Sequence, residues 1–175
     1  MRSIATLLAG LALVPGLALG CGPTRLKVVQ SIEIRAPADK VWAVIGNFRD
    51  MSWHPAIART EAPETIEPEV TTRTLTYKSG STVTDKLTKY DAAQRAIGFM
   101  ADKEDQAILP VVGYNSILTA KDHGGATLLE WRGAFMRGYP LPDPPPAQND
   151  EAAERAVTAY QKAGLDAVKK LMEGG

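Results

Sequence analysis

Between residues 26 and 35 apolar and polar side chains alternate. Leu26, Val28, Ile32 and Ile34 fall on one face; Lys27, Ser31, Glu33 and Arg35 fall on the other. That period of two predicts a half-buried strand. Ala36–Pro37 then turns the chain and sets Pro37 at a helix start. Val41, Val44, Ile45 and Phe48 recur at helical spacing with Trp42 beside them, so a short helix is expected, ending at Gly46–Asn47, two residues that tolerate left-handed backbone. Residues 49–55 predict a second short helix or turn, stopped by Pro55.

The period of two returns over residues 57–60, 71–78, 81–90, 96–101, 114–121 and 126–136, each rich in β-branched or aromatic residues. Ser79–Gly80, residues 91–95 and residues 122–125 read as hairpin connections. Consecutive hairpins make an antiparallel meander. Residues 138–146 are proline-rich and cannot continue the sheet; they read as a stiff linker or as a flap able to gate a cavity. Asn149 or Asp150 then caps a long helix to about Met172, with an apolar stripe of Val157, Tyr160, Gly164, Val168 and Leu171. The expected fold is α+β: a curved antiparallel sheet of six or seven strands wrapped around a long C-terminal helix, with two short helices after the first strand. The space between such a sheet and its helix is a natural small-molecule site.

The N-terminus adds a location. Ile4 to Leu19 is an apolar run without charge, and Ala18, Leu19 and Gly20 precede a polar chain. Residues 1–20 therefore read as a secretory signal and residues 21–175 as one exported, periplasmic domain; a retained anchor is the competing reading. Cys21, directly after Gly20, is a candidate for lipid modification, the one route by which the domain itself would meet a membrane. It is also the only cysteine, which excludes an intrachain disulfide and a thiolate metal site. Lys plus Arg and Asp plus Glu number 20 each, so no basic surplus points to nucleic acid.

The order of elements and several local sequences resemble the START/Bet v1-like helix-grip superfamily, also called SRPBCC. The residues that carry the likeness are Ser31-Ile-Glu-Ile-Arg-Ala-Pro-Ala-Asp-Lys-Val-Trp42, Ile45-Gly-Asn-Phe48 and Trp53-His-Pro55. Val83-Thr-Asp-Lys-Leu87, Tyr90-Asp91, Pro110 with Tyr114-Asn-Ser116, and Leu129-Glu-Trp131 follow. Within it, the signal and Trp53-His54-Pro55 look most like the polyketide cyclase/dehydrase-type, MxaD-like branch. That likeness implies an accessory role in periplasmic methanol oxidation, with a dehydrogenase or cytochrome as partner.

Two residues could carry proton chemistry. Asp85 shares a strand face with Val83 and Leu87; if that face is concave it points into the cavity, where burial would raise its pKa, and otherwise it lies on an exterior face or pairs with a cation that holds the sheet together. His54, which in a helix-grip fold borders the cavity mouth, could pass a proton or simply hydrogen-bond a turn. His123 lies in a polar turn and is expected to be solvated. Tyr114 and Ser116 share one strand face; Trp131, Gly133 and Phe135 share another; with Trp42 and Trp53 they could line the cavity or form solid core, and Gly133 leaves room beside Trp131. Two distant histidines make a poor metal set, and no cofactor-binding motif is present. The expectation is a non-catalytic accessory or binding protein for a small hydrophobic molecule. The alternatives are a cyclase or dehydratase working through Asp85 and His54, and a periplasmic lipid or hydrophobic-metabolite carrier.

Overall fold

The computed structural model describes residues 22–174; residues 1–20, read above as a secretory signal, and Cys21 lie outside them. Strand β1 (Leu26–Ile34) leads into helix α1 (Ala38–Ile45). Six strands follow: β2 (Ile57–Glu61), β3 (Thr72–Tyr77), β4 (Thr82–Asp91), β5 (Ala96–Lys103), β6 (Val111–His123) and β7 (Ala126–Arg137). Helix α2 (Asp150–Glu173) completes the fold. The strands make one sheet in the order β1-β7-β6-β5-β4-β3-β2, with every pairing antiparallel. The sequence neighbours β1 and β2 are thus its two edges, and α1 with the turns after it must carry the chain from one edge to the other.

The strand periods assign the faces as expected. Val28 and Ile34 of β1 and Leu129, Trp131 and Phe135 of β7 are all buried. The sheet bends where its ladder slips: at Thr84/Asp85 and Leu87/Lys89 in β4, and between Val112 and Asn115 in β6. Such bulges tighten the twist and re-aim side chains. Gly113 sits inside the β6 bulge with φ 64°, a conformation that suits glycine.

Helix α2 starts as the sequence predicts. The Asn149 side chain accepts from the Ala152 N–H at 2.8 Å, and Asp150 and Glu151 complement the helix dipole. Its inward stripe is Ala153, Val157, Gln161, Gly164, Leu165 and Val168. Tyr160 and Met172 pack on the core, while Leu171, expected on the stripe, is 56 % exposed. The helical period of 3.6 carries the stripe to Met172 instead.

Two local expectations change. Residues 49–55 take the turn alternative, and the second short helix does not form. The Asn47 side chain takes the Arg49 N–H and the Asp50 side chain takes the Ser52 N–H, which gives the backbone local partners in place of a helical ladder. Gly46 ends α1 in a right-handed conformation (φ −75°). Its lack of a side chain serves close approach instead, because a Cβ there would stand 2.7 Å from the Trp42 ring.

The proline-rich segment after β7 is strapped down. The buried Arg137 donates to the carbonyls of Tyr139 and Leu141 and to Asp150 Oδ1 at 2.7 Å, tying β7, the strap and the start of α2 together.

Candidate functional site

The cavity lies between the inner face of β3 to β6, residue Tyr160 of α2 and the loop that joins β5 to β6. Its apolar wall is Leu75, Val83, Phe99 and Val111, closed by Ile108 and Leu109 from the loop. Its polar groups are the hydroxyls of Tyr77, Tyr114 and Tyr160 and the carboxylates of Asp85, Glu104 and Asp105. The unfilled space is about 430 Å³ with the open mouth counted, but only about 30 Å³ admits the centre of a water molecule. That inner volume suits about two waters, so a larger guest requires side chains of the loop to move.

Asp85 is 6 % exposed and points inward. It stands directly across the ladder from Arg73 of β3. Arg73 Nη2 and Nε donate to Asp85 Oδ2 at 2.9 and 3.2 Å, and both bonds land on that one oxygen. Among the described residues Asp85 Oδ1 receives no hydrogen bond. The guanidinium is held between Phe48 and Phe99, 4.5 and 4.6 Å from the ring centres, and also donates to the Phe48 carbonyl. Cation–π contact and charge pairing together offset the cost of burying it. Asp85 is thus both things the sequence allowed: it faces the cavity, and it is paired with a cation.

The three tyrosines form two linked groups. Tyr77 Oη donates to Tyr160 Oη at 3.3 Å, and Gln161 Nε2 donates to Tyr114 Oη at 3.1 Å. Burial pushes the Tyr77 hydroxyl up to about 12 and raises Tyr114 and Tyr160 further, so all three stay protonated donors at neutral pH. The β6 bulge leaves the Tyr114 N–H outside the ladder, and Glu104 Oε1 accepts it at 2.9 Å. One irregularity in the sheet therefore aims Tyr114 and anchors the loop carboxylate.

His54 is 1 % exposed and is not on the cavity wall. Its Nδ1 accepts from the Ala56 N–H at 3.2 Å, so Nε2 carries the proton and donates to the Tyr160 carbonyl at 3.0 Å. The ring stacks on Tyr160 with centroids 4.2 Å apart. Burial lowers its pKa from 6.5 to about 4, against a smaller upward pull from the Tyr160 carbonyl. Both nitrogens are committed to backbone, and the imidazole is neutral at physiological pH. Gly164 makes this corner possible: a Cβ there would stand 2.6 Å from His54 Cδ2 and 2.7 Å from Trp131 Cζ3.

Of the aromatic and polar residues singled out from the sequence, Tyr114 lines the cavity with Asp85; Trp42, Trp53, Ser116, Trp131 and Phe135 do not. Trp131 and Phe135 are fully buried core, and Ser116 is buried beneath the wall. Trp53 packs edge-on to Trp131, and Trp42 lies near the surface against Tyr90. The space that Gly133 leaves is taken: a Cβ there would stand 2.7 Å from Gln161 Nε2 and 2.8 Å from Tyr114 Cε2. His123 is exposed and meets Glu33 at 3.0 Å. Arg73, Tyr77, Glu104 and Asp105 were not singled out. Arg73 and Tyr77 share strand parity with Leu75, the signal that marked Asp85; the loop acids carry no such signal. Among the described residues no group of three His, Cys, Asp or Glu side chains is placed to hold a metal ion.

Solved structures share this architecture. An uncharacterised protein from Bacillus thuringiensis superposes with a TM-score of 0.69 at 24 % identity, covering 84 % of this chain and 98 % of that one. XoxI from Bacillus cereus gives 0.70 at 23 %, covering 83 % and 94 %. Norcoclaurine synthase from Thalictrum flavum, in complex with dopamine and hydroxybenzaldehyde, gives 0.63 at 17 %, covering 97 % and 96 %. At these identities the likeness speaks for the helix-grip fold. A search of curated protein sequences finds no match. Residues 25–173 match the family model described as polyketide cyclase/dehydrase and lipid transport, and the chain belongs to that family.

Proposed function

We propose that this protein binds a small molecule, apolar over most of its surface, in the cavity between sheet and helix, and that it does so without acid–base chemistry from His54. One observation carries the reading: a solvent-open cavity whose walls are apolar side chains interrupted by three protonated tyrosine hydroxyls. Such a lining holds and orients a guest. The commitment of both His54 nitrogens to backbone supports a binding role over a cyclase or dehydratase role through the His54–Asp85 pair. Export rests on the signal-like residues 1–20. The MxaD-like resemblance supplies the partner to try, a periplasmic methanol dehydrogenase or its cytochrome.

Ala101 lines the cavity and has the least side chain to lose. Ala101→Phe should fill it. The neutral fluorophore N-phenyl-1-naphthylamine should bind saturably to the native protein and not to the variant, with the thermal midpoint of the variant unchanged. Equal binding by both, or none by the native chain, would overturn the reading.

A further inference from the structure

We propose that the ligand of this cavity is an organic cation: an ammonium head on an apolar or aromatic body. The inference rests on the binding role above and names the chemical class of its guest.

The charges on the wall are one-sided. Asp85, Glu104 and Asp105 line the cavity, and among the described residues no lysine, arginine or histidine does. The nearest countercharge, Arg73, is spent on Asp85 Oδ2 and covered by Phe48 and Phe99. Asp85 Oδ1, on a side chain only 8 % exposed, is left without a donor among the described residues while the residue faces the cavity. An acceptor without a protein donor on a cavity-lining residue is free to take one from a guest. Glu104 and Asp105 each use one oxygen on a backbone N–H, of Tyr114 and of Ala107, and stand half-buried at the loop.

A guest has to match that pattern. An ammonium carries three donors and a positive charge, and so meets both the acceptor at Asp85 and the field of the two loop carboxylates. A fatty acid or other carboxylate would bring a fourth negative charge into a site with no cation to receive it. The body of the guest meets Leu75, Val83, Phe99 and Val111. Because the inner volume is small, the guest is admitted as Ile108 and Leu109 shift.

Three probes with the same phenylethyl body separate charge from fit: 2-phenylethylammonium, 2-phenylethanol and 3-phenylpropionate, titrated by calorimetry at pH 7 in low salt. The ammonium should bind about tenfold tighter than the alcohol, and the carboxylate more weakly than either. In the Glu104→Gln/Asp105→Asn double variant the preference for the ammonium over the alcohol should fall to within about threefold. Added salt should weaken the ammonium alone. If alcohol and carboxylate bind as tightly as the ammonium, or the double variant keeps the full ammonium preference, the cation assignment fails while the binding role stands. If no probe binds and Ala101→Phe also leaves N-phenyl-1-naphthylamine unaffected, both fall.

Discussion

The corner around His54 and the wall around Asp85 bury ionisable groups in the same core and treat them in opposite ways. At the corner, two backbone groups match the two imidazole nitrogens, Tyr160 covers one face of the ring, and Gly164 brings α2 within contact of Cδ2. Nothing is left over. At the wall, Arg73 matches one oxygen of Asp85 and leaves the other toward the cavity. The corner keeps its residue neutral, because backbone dipoles satisfy a neutral imidazole at little electrostatic cost. The wall keeps charge, because only a countercharge makes a buried carboxylate tolerable. A fully matched polar group fastens a fold; a half-matched one has capacity for a guest.

The largest effect should come from removing the countercharge. Arg73→Met would leave Asp85 buried without its partner, a loss of about 3–5 kcal/mol. The double variant Arg73→Met/Asp85→Leu should recover most of that, because it removes both charges and keeps the volume. Urea midpoints of the two variants test this. If the single variant is no less stable than the double, the pair does not carry the wall.

The corner responds to pH where the wall responds to mutation. The unfolded chain binds a proton at His54 near pH 6.5, while the folded chain resists it down to about 4. Between those values the unfolded state holds more protons, so stability rises with pH: full above about 6.5, falling as the pH drops, and levelling near 4. The drop attributable to His54 is about 3 kcal/mol. His54→Gln, whose amide can still donate to the Tyr160 carbonyl, should flatten that part of the curve. A native-like slope in the variant would assign the loss to other groups.

The difference between the regions also explains what could be read from residues alone. Strand faces follow a period of two, so the shared faces of Val28 with Ile34, of Asp85 with Leu87 and of Trp131 with Phe135 were legible, though not which face Asp85 turned inward, and the same arithmetic would have marked Arg73 through Leu75. The Asn149 cap was legible because it is local. Residues 49–55 were not, because Asn47 and Asp50 divert the backbone through their own side chains. The cavity was legible as a consequence of the fold but not in its lining. Gly133 does leave a gap in its strand, yet Gln161 arrives from α2 and Tyr114 from the neighbouring strand to occupy it. Glu104 and Asp105 come from a loop with no periodic pattern, positioned by a bulge that only the folded ladder reveals.

The smallest effect should come from Tyr77, and it separates the two regions most finely. Tyr77 lines the cavity, and its hydroxyl donates to Tyr160, whose ring is stacked on His54. Tyr77→Phe removes one long hydrogen bond of 3.3 Å, so a loss of about 0.5–1 kcal/mol is expected. If the corner is self-sufficient, the pH dependence assigned to His54 stays unchanged, because both ring nitrogens are held by backbone. If Tyr160 relays a change across, the midpoint of that pH curve shifts as well. In the cavity the same substitution exchanges a polar group for apolar surface, so the neutral N-phenyl-1-naphthylamine should bind as tightly or tighter. A weaker neutral probe together with a shifted pH curve would show corner and wall to be one coupled unit, and the division drawn between them would fail.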